Sequence, residues 1–64
     1  MLVKIQEGTW CKFYNQNGTN TAFLSSDCYG MVIEEAIDER NQLVCTVLVG
    51  DELFEIPKEE VRQC

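Results

Sequence analysis

Short segments in which apolar and polar residues alternate follow one another along the whole chain. Alternation with a period of two is typical of a β-strand that buries one face. Most of these segments are rich in β-branched and aromatic residues, and none keeps a helical period of 3.6 over ten or more positions. Clusters of Gly, Asn, Asp, Ser and Pro separate them. We therefore predict strands over residues 2–7, 9–14, 21–24, 31–37, 43–49 and 53–56.

The clearest unit is a three-stranded meander in the second half of the chain. Five polar residues, 38–42, join segments 31–37 and 43–49, which is a connection length found in hairpins. A tight connection over 50–52 then leads into 53–56. Pro57 cannot donate a hydrogen bond to a ladder, so we expect it to end that strand. Residues 58–61 then predict a single helical turn, because Pro is tolerated at the first position of a helix.

The same alternation assigns residues to the two faces of the strands. The predicted core consists of Val3, Ile5, Phe13, Phe23, Val32, Cys45, Val47, Phe54, Ile56 and Val61. Val44, Leu48 and Leu53 point away from it, with Trp10 or Tyr14 near them. Two explanations fit: a small barrel curls enough to bury both faces in part, or the residues form an exposed patch that binds a protein partner. Under the second explanation the apolar stripe is Trp10, Val44, Leu48 and Leu53, with Trp10 as an anchor.

Residues 30–62 carry a resemblance to a known fold. The segments GMVIE at 30–34, LVCTV at 43–47 and GDELFEIP at 50–57, followed by Val61, resemble the second half of small SH3-like barrels. The strand pattern and the chain length predict an all-β chain with a single domain over residues 1–64. The resemblance implies that this domain is a small SH3-like barrel of about five or six short antiparallel strands, with one short helical turn near the C-terminus.

Very short proteins of this type resemble accessory and virion proteins encoded by bacteriophages, which act as adaptors, capsid decorations or inhibitors of host factors. The resemblance therefore implies a non-enzymatic interaction or assembly module, such as a virion structural, decoration or adaptor protein. Its expected location is the cytoplasm of the host cell or the virion. Peptide-binding SH3 domains carry an aromatic "ALYDY"-type segment that this chain lacks, which argues against proline-rich ligands.

The short length of the chain also favours association with other protein chains. A domain of 64 residues buries only ~60 % of its unfolded surface and is marginally stable alone. A homo-oligomer or a larger assembly would compensate. The N-terminus lacks the pattern of a signal peptide, and no apolar run approaches the ~20 residues needed to cross a bilayer. We expect a soluble protein that is not secreted through a signal peptide.

Charge is distributed unevenly along the chain. Residues 1–30 have no net charge, whereas residues 31–64 carry the whole net charge of −6. This sign excludes direct nucleic-acid binding and disfavours anionic membranes. Either the acidic surface keeps the protein soluble, or it binds a basic host protein or imitates nucleic acid. The acidic residues that would then bind are Glu34, Glu35, Asp38, Glu39, Asp51, Glu52, Glu59 and Glu60.

Four cysteines and the absence of histidine limit the possible chemistry. Cys11, Cys28, Cys45 and Cys64 form no CxxC pair, so we expect no zinc site and no other metal site. Without a secretory signal we expect reduced thiols, with Cys45 buried and Cys28 and Cys64 more exposed. The alternative is two disulfides, in any of three pairings.

Catalysis has little support in the sequence. Histidine, the commonest general base, is missing. Glu34 and Glu35 are adjacent on a strand, so their side chains diverge to opposite faces. The four glycines are isolated and make no phosphate-binding loop. We expect no enzyme activity, no catalytic residue, no cofactor and no small-molecule substrate.

Overall fold

The computed structural model describes residues 1–64 as an all-β molecule with one short 3-10 turn, which confirms the predicted class. The strands are β1 Leu2–Ile5, β2 Trp10–Asn15, β3 Gly18–Phe23, β4 Cys28–Ile37, β5 Leu43–Val49, β6 Glu52–Pro57 and β7 Val61–Gln63. The 3-10 turn, Lys58–Glu60, lies between β6 and β7. None of its elements is a helix of the length and apolarity that a membrane span requires.

All seven strands belong to one antiparallel sheet in the order β3-β2-β6-β5-β4-β1-β7. β3 and β7 are its edges and do not pair with each other, so the sheet is open. The strand count of five or six was too low. The strand missing from the prediction is β7, which pairs with β1. The sequence did not reveal β7, because three residues are too few to show an alternation of period two. β7 forms because the 3-10 turn returns the chain to the free edge of β1.

The predicted meander is confirmed by β4, β5 and β6. The Asp38 carboxylate shapes the five-residue connection between β4 and β5, because its Oδ1 accepts the backbone N–H groups of Arg40 and Gln42, each at 2.9 Å. Gly50 has a φ of +62° at the first position of the two-residue turn between β5 and β6. A positive φ there suits a type II′ hairpin turn. β6 ends at Pro57, as expected.

β4 begins three residues earlier than predicted because its first residues pair with β1, from Leu2 with Met31 to Ile5 with Cys28. Gly30 lies one residue before the first β4–β5 pair, at a point where the backbones of β4 and β5 come close together. A Cβ atom there would meet the Leu48 carbonyl oxygen, and it would lie 2.9 Å from a methyl group of Val47. Only glycine allows the two backbones to approach so closely.

The core lies on one face of the sheet, which we call the inner face. Its buried residues are Val3, Ile5, Cys11, Leu24, Cys45, Val47, Phe54 and Ile56. The predicted core residues Phe13, Val32 and Val61 are partly buried against this cluster. Residues of β1 and β2 share the cluster although the two strands are not neighbours in the sheet, so the sheet curls around its core.

Phe23 is a wrong core prediction, since 67 % of it is exposed. The next residue, Leu24, is buried in its place. Leu24 leaves the strand and exchanges backbone hydrogen bonds with the β1–β2 loop, donating to the Thr9 carbonyl and accepting from the Gly8 N–H. A shift of one residue moves a strand side chain to the other face. The register of β3 against β2 therefore turns Phe23 outward.

Candidate interaction surface

The outer face of the sheet, opposite the core, carries three rows of side chains that cross several strands. Directly opposed residues of an antiparallel pair point to the same face, so the strand register determines which side chains meet. Two rows are mainly apolar, and the row between them is polar.

The first row, which we call the apolar row, crosses five neighbouring strands from β2 to β1. Its members are Tyr14, Leu53, Leu48, Met31 and Leu2, each paired in register with the next. Leu2 is 50 % exposed, Met31 47 % and Leu48 39 %. Tyr14 and Leu53 are half-buried. A continuous line of exposed and half-buried apolar side chains across a sheet is the type of surface that proteins use for binding.

The middle row is polar and contains Lys12, Glu55, Thr46 and Glu34, again joined by register. The Tyr14 hydroxyl donates a hydrogen bond to Glu55 Oε2 at 3.1 Å. The Lys12 ammonium lies 5.6 Å from the centre of the Tyr14 ring. Tyr14 therefore links the polar row to the apolar row.

The third row lies on the far side of the polar row. Phe23 and Trp10 are partners between β3 and β2, with ring centres 4.7 Å apart in an edge-to-face arrangement. Pro57, Val44 and Ala36 continue the row across β6, β5 and β4. Trp10 is 53 % exposed and lines the same hollow as Pro57, which connects the two parts.

The structure divides the predicted apolar stripe between two of these rows. Leu48 and Leu53 are direct partners and belong to the apolar row. Val44 shares their face but lies in the third row, with Thr46 between it and Leu48. Trp10 lies in the third row as well.

The prediction missed Met31 and Leu2 as exposed apolar residues. Their positions follow from the same alternation, since each precedes a predicted core residue by one position. The sequence does not reveal that β1 pairs with β4, and this pairing brings the two side chains into line.

The eight acidic residues of the alternative surface do not gather in one place. Glu35 forms an ion pair with Lys58, at 2.9 Å between Oε1 and Nζ. Glu52 accepts a hydrogen bond from the Asn15 amide at 2.9 Å and lines a hollow at the tip of the β2–β3 hairpin together with Asp51. Glu59 lines a separate hollow beside Leu43. The remaining four, Glu34, Asp38, Glu39 and Glu60, border two hollows on the outer face.

These two outer-face hollows lie next to each other, and Glu55 lines both. The first is bounded by the β1–β2 loop, Trp10, Pro57 and Glu60. The carboxyl groups that line it are Glu7, Glu55 and Glu60. The second extends over β5 and β4, where Val44, Ala36 and Ile37 form its apolar part. The carboxyl groups that line this second hollow are Glu34, Asp38, Glu39 and Glu55.

The loop that carries Glu7 is held by Asp27. The Asp27 Oδ1 atom accepts the Glu7 backbone N–H at 2.7 Å, and Oδ2 lies 3.4 Å from the Lys4 ammonium. The Glu7 N–H is the main cause of the lowered pKa of Asp27, and Lys4 contributes. The ionised carboxylate therefore ties the β1–β2 loop to the segment that precedes β4.

All four cysteines are free thiols. Cys11 and Cys45 are buried, Cys28 is half-buried and Cys64 is exposed. Burial, together with the smaller effects of the nearby Cys28 and Glu60, raises the pKa of Cys11 to about 11. Burial also raises the pKa of Cys45. Both buried thiols therefore stay protonated and unreactive near neutral pH. No group of three or more His, Cys, Asp or Glu side chains is arranged to hold a metal ion.

Comparison of the chain with protein-family models, with curated proteins and with solved structures found no match. The function is therefore inferred from the outer face of the sheet.

Proposed function

We propose that this chain is a small interaction module that assembles with protein through the outer face of its sheet. The observation that carries the proposal is the apolar row, in which exposed or half-exposed apolar side chains follow one another across five strands. Water contact with such a row is unfavourable, and covering it with a protein surface releases about 25 cal/mol for each Å² of apolar area.

We also propose that the sheet is a small SH3-like barrel. A single sheet that curls around one core and has a 3-10 turn before its last strand is compatible with an SH3-like barrel. The meander from β4 to β6 supports this assignment, because it corresponds to the segments that carry the sequence resemblance.

By that resemblance, the proposed role is that of a phage-encoded virion, decoration or adaptor protein. It would act without an enzymatic step, in the host cytoplasm or in the virion. An assembly role also suits a chain whose small core leaves little stability for a free monomer.

Sedimentation of the purified chain over a range of concentrations tests the proposal. We expect the wild-type chain to self-associate, and we expect the double variant Leu48→Ser/Leu53→Ser to be monomeric at the same concentrations. The matched control is Leu43→Ser, which removes an exposed apolar side chain outside the apolar row and outside the two outer-face hollows. Circular dichroism verifies that each variant is folded. A folded double variant that associates like the wild type would contradict the proposal.

A second candidate function is binding of a basic host protein by the acidic surface. The grouping of Glu34, Asp38, Glu39 and Glu55 around one hollow favours it. Binding of this kind weakens steeply with salt, because exposed charges are screened within ~10 Å at 0.1 M. Binding through the apolar row persists at high salt.

A further inference from the structure

We propose that the two adjoining hollows of the outer face form one groove that binds an extended, arginine-containing segment of a basic protein. The groove floor is the apolar line of Trp10, Pro57, Val44 and Ala36. This inference rests on the second candidate function, binding of a basic protein, and deepens it by assigning the site and the chemistry of the bound segment. It assigns a site and a ligand chemistry that the apolar row does not supply.

The floor of the groove is continuous. Val44 pairs with both Pro57 and Ala36, so the floor runs across the strands and not along them. Glu55 borders both hollows and joins them. From β2 to β4 the floor spans three strand spacings, roughly 14 Å, which is the length of about four extended residues.

The walls of the groove are acidic. Six carboxyl groups line the two hollows, Glu7, Glu34, Asp38, Glu39, Glu55 and Glu60, and Lys12 is the one cation among the lining residues. Neither salt bridge of the molecule involves these six, since Lys4 pairs with Asp27 and Lys58 with Glu35. The groove therefore attracts cations and repels phosphate groups.

The side chains of the groove favour arginine among the cations. A guanidinium group stacks on an exposed indole, and its planar fork can bind carboxylates at the same time. The first hollow offers both partners, because Trp10 is exposed beside Glu55 and Glu60. In the second hollow, the alkyl part of an arginine can lie on Val44 and Ala36 while its head reaches Glu34 or Asp38.

A second copy of the chain does not suit the groove. Each copy brings a net charge of −6. Of its five cations, Lys4 and Lys58 are already in salt bridges, and Arg62 donates to the Glu59 carbonyl at 2.9 Å. The occupant is therefore a segment of a different, basic protein.

The test is a titration of the full chain with blocked Ala-Arg-Ala-Arg-Ala peptide, followed by NMR and by tryptophan fluorescence. Trp10 is the one tryptophan, so its emission reports on the groove. We expect saturable shifts of the amide signals of Trp10, Val44 and Glu55. We expect no saturable shifts from the corresponding peptides with Gln or Glu in place of Arg.

Matched variants separate the groove from general charge attraction. Glu34→Gln/Glu55→Gln is expected to weaken peptide binding roughly tenfold, the combined effect of two partly exposed ion pairs. Glu52→Gln/Glu59→Gln removes the same amount of charge outside the groove. This variant is expected to change the affinity for the peptide less than about twofold. Equal weakening by both double variants would overturn the proposal, as would absence of saturable binding to the wild type at low salt.

The apolar-row variant distinguishes the two proposals. If Leu48→Ser/Leu53→Ser remains folded and binds the peptide like the wild type, the groove is supported independently of the apolar row. If the wild type proves monomeric at every concentration, the proposed assembly function fails. The peptide titration still shows whether the groove binds an arginine-containing segment. Loss of peptide binding in this folded variant would contradict the assignment of the site to the third row.

Discussion

Cys11 shows how burial on the inner face of the sheet changes the proton affinity of a single side chain. It is fully buried on β2, and its Sγ lies 3.5 Å from the Thr9 carbonyl oxygen, to which the thiol donates. A thiolate in that position would lose its hydration, so the folded chain holds the proton more tightly than the unfolded chain does. The pKa of Cys11 is therefore raised from 9.0 to about 11.

The raised pKa of Cys11 predicts a loss of stability at high pH. Because the folded pKa lies above the unfolded value, the contribution of this thiol is fully present below pH 9.0 and is lost as the pH rises towards 11. A tenfold difference in proton affinity corresponds to about 1.4 kcal/mol, so we expect the free energy of unfolding to fall by an amount on the order of 2 kcal/mol. Urea denaturation under reducing conditions at successive pH values measures this decrease in the free energy of unfolding.

The matched variants for this experiment are Cys11→Ala and Cys64→Ala. Cys11→Ala is less stable at neutral pH because it leaves a cavity, but it is expected to lose most of the pH dependence. Cys45, Lys12 and Lys58, whose pKa values are also raised, account for the remainder. Cys64 is exposed, and its removal is expected to leave the pH dependence intact. An unchanged slope in Cys11→Ala would contradict the assignment.

At the level of elements, the β2–β3 hairpin differs from the central meander. β3 is an edge strand whose six residues are all exposed, and it pairs with β2 alone. On the outer face its aromatic contact is the edge-to-face pair of Phe23 and Trp10. Edge elements with few buried contacts open more readily than the central strands of a sheet.

Replacement of Phe23 by alanine tests this description of the hairpin. We expect Phe23→Ala to lower the free energy of unfolding by about 0.5–1.5 kcal/mol, the range for an aromatic pair. We also expect it to shift Trp10 emission to the red, because the indole becomes more exposed. Thr21→Ala, on the same strand and face, is the control. A loss of about 3–5 kcal/mol, as for a core phenylalanine, would contradict the outward position of Phe23.

At the scale of the whole molecule, charge opposes compactness. Eleven acidic residues face five basic ones, and the two salt bridges are partly exposed surface pairs. Exposed pairs contribute little, so repulsion among the remaining carboxylates dominates. The same excess negative charge keeps phosphate ligands away and leaves the outer-face carboxylates available to a cationic partner.

Salt is therefore expected to stabilise the folded chain. Raising the NaCl concentration from about 20 mM to about 500 mM shortens the Debye length several-fold, and we expect the melting temperature to rise by several degrees. The variant Asp51→Asn/Glu59→Gln has a smaller excess charge, so its response is expected to be weaker. A melting temperature that falls with salt would mean that the ion pairs outweigh the repulsion.

Much of the architecture could be predicted because it depends on local pattern. The meander of β4, β5 and β6 was readable from the alternation of its residues, and its connections from Gly50 and the polar run 38–42. The end of β6 at Pro57 was predictable because proline has no N–H group to donate to the strand ladder, whichever residues surround it. The buried positions Val3, Ile5, Val47 and Ile56 likewise followed from alternation within single strands.

The remaining features needed the tertiary structure, because they depend on which strands pair. β1 joins β4 and β7, and this pairing places Leu2 and Met31 in the apolar row. The register between β2 and β3 turns Phe23 outward. The residue pattern alone is enough to predict an all-β chain with its negative charge in the second half. Strand order and register, which depend on contacts between residues far apart in the chain, decided how its apolar and acidic side chains are arranged on the outer face.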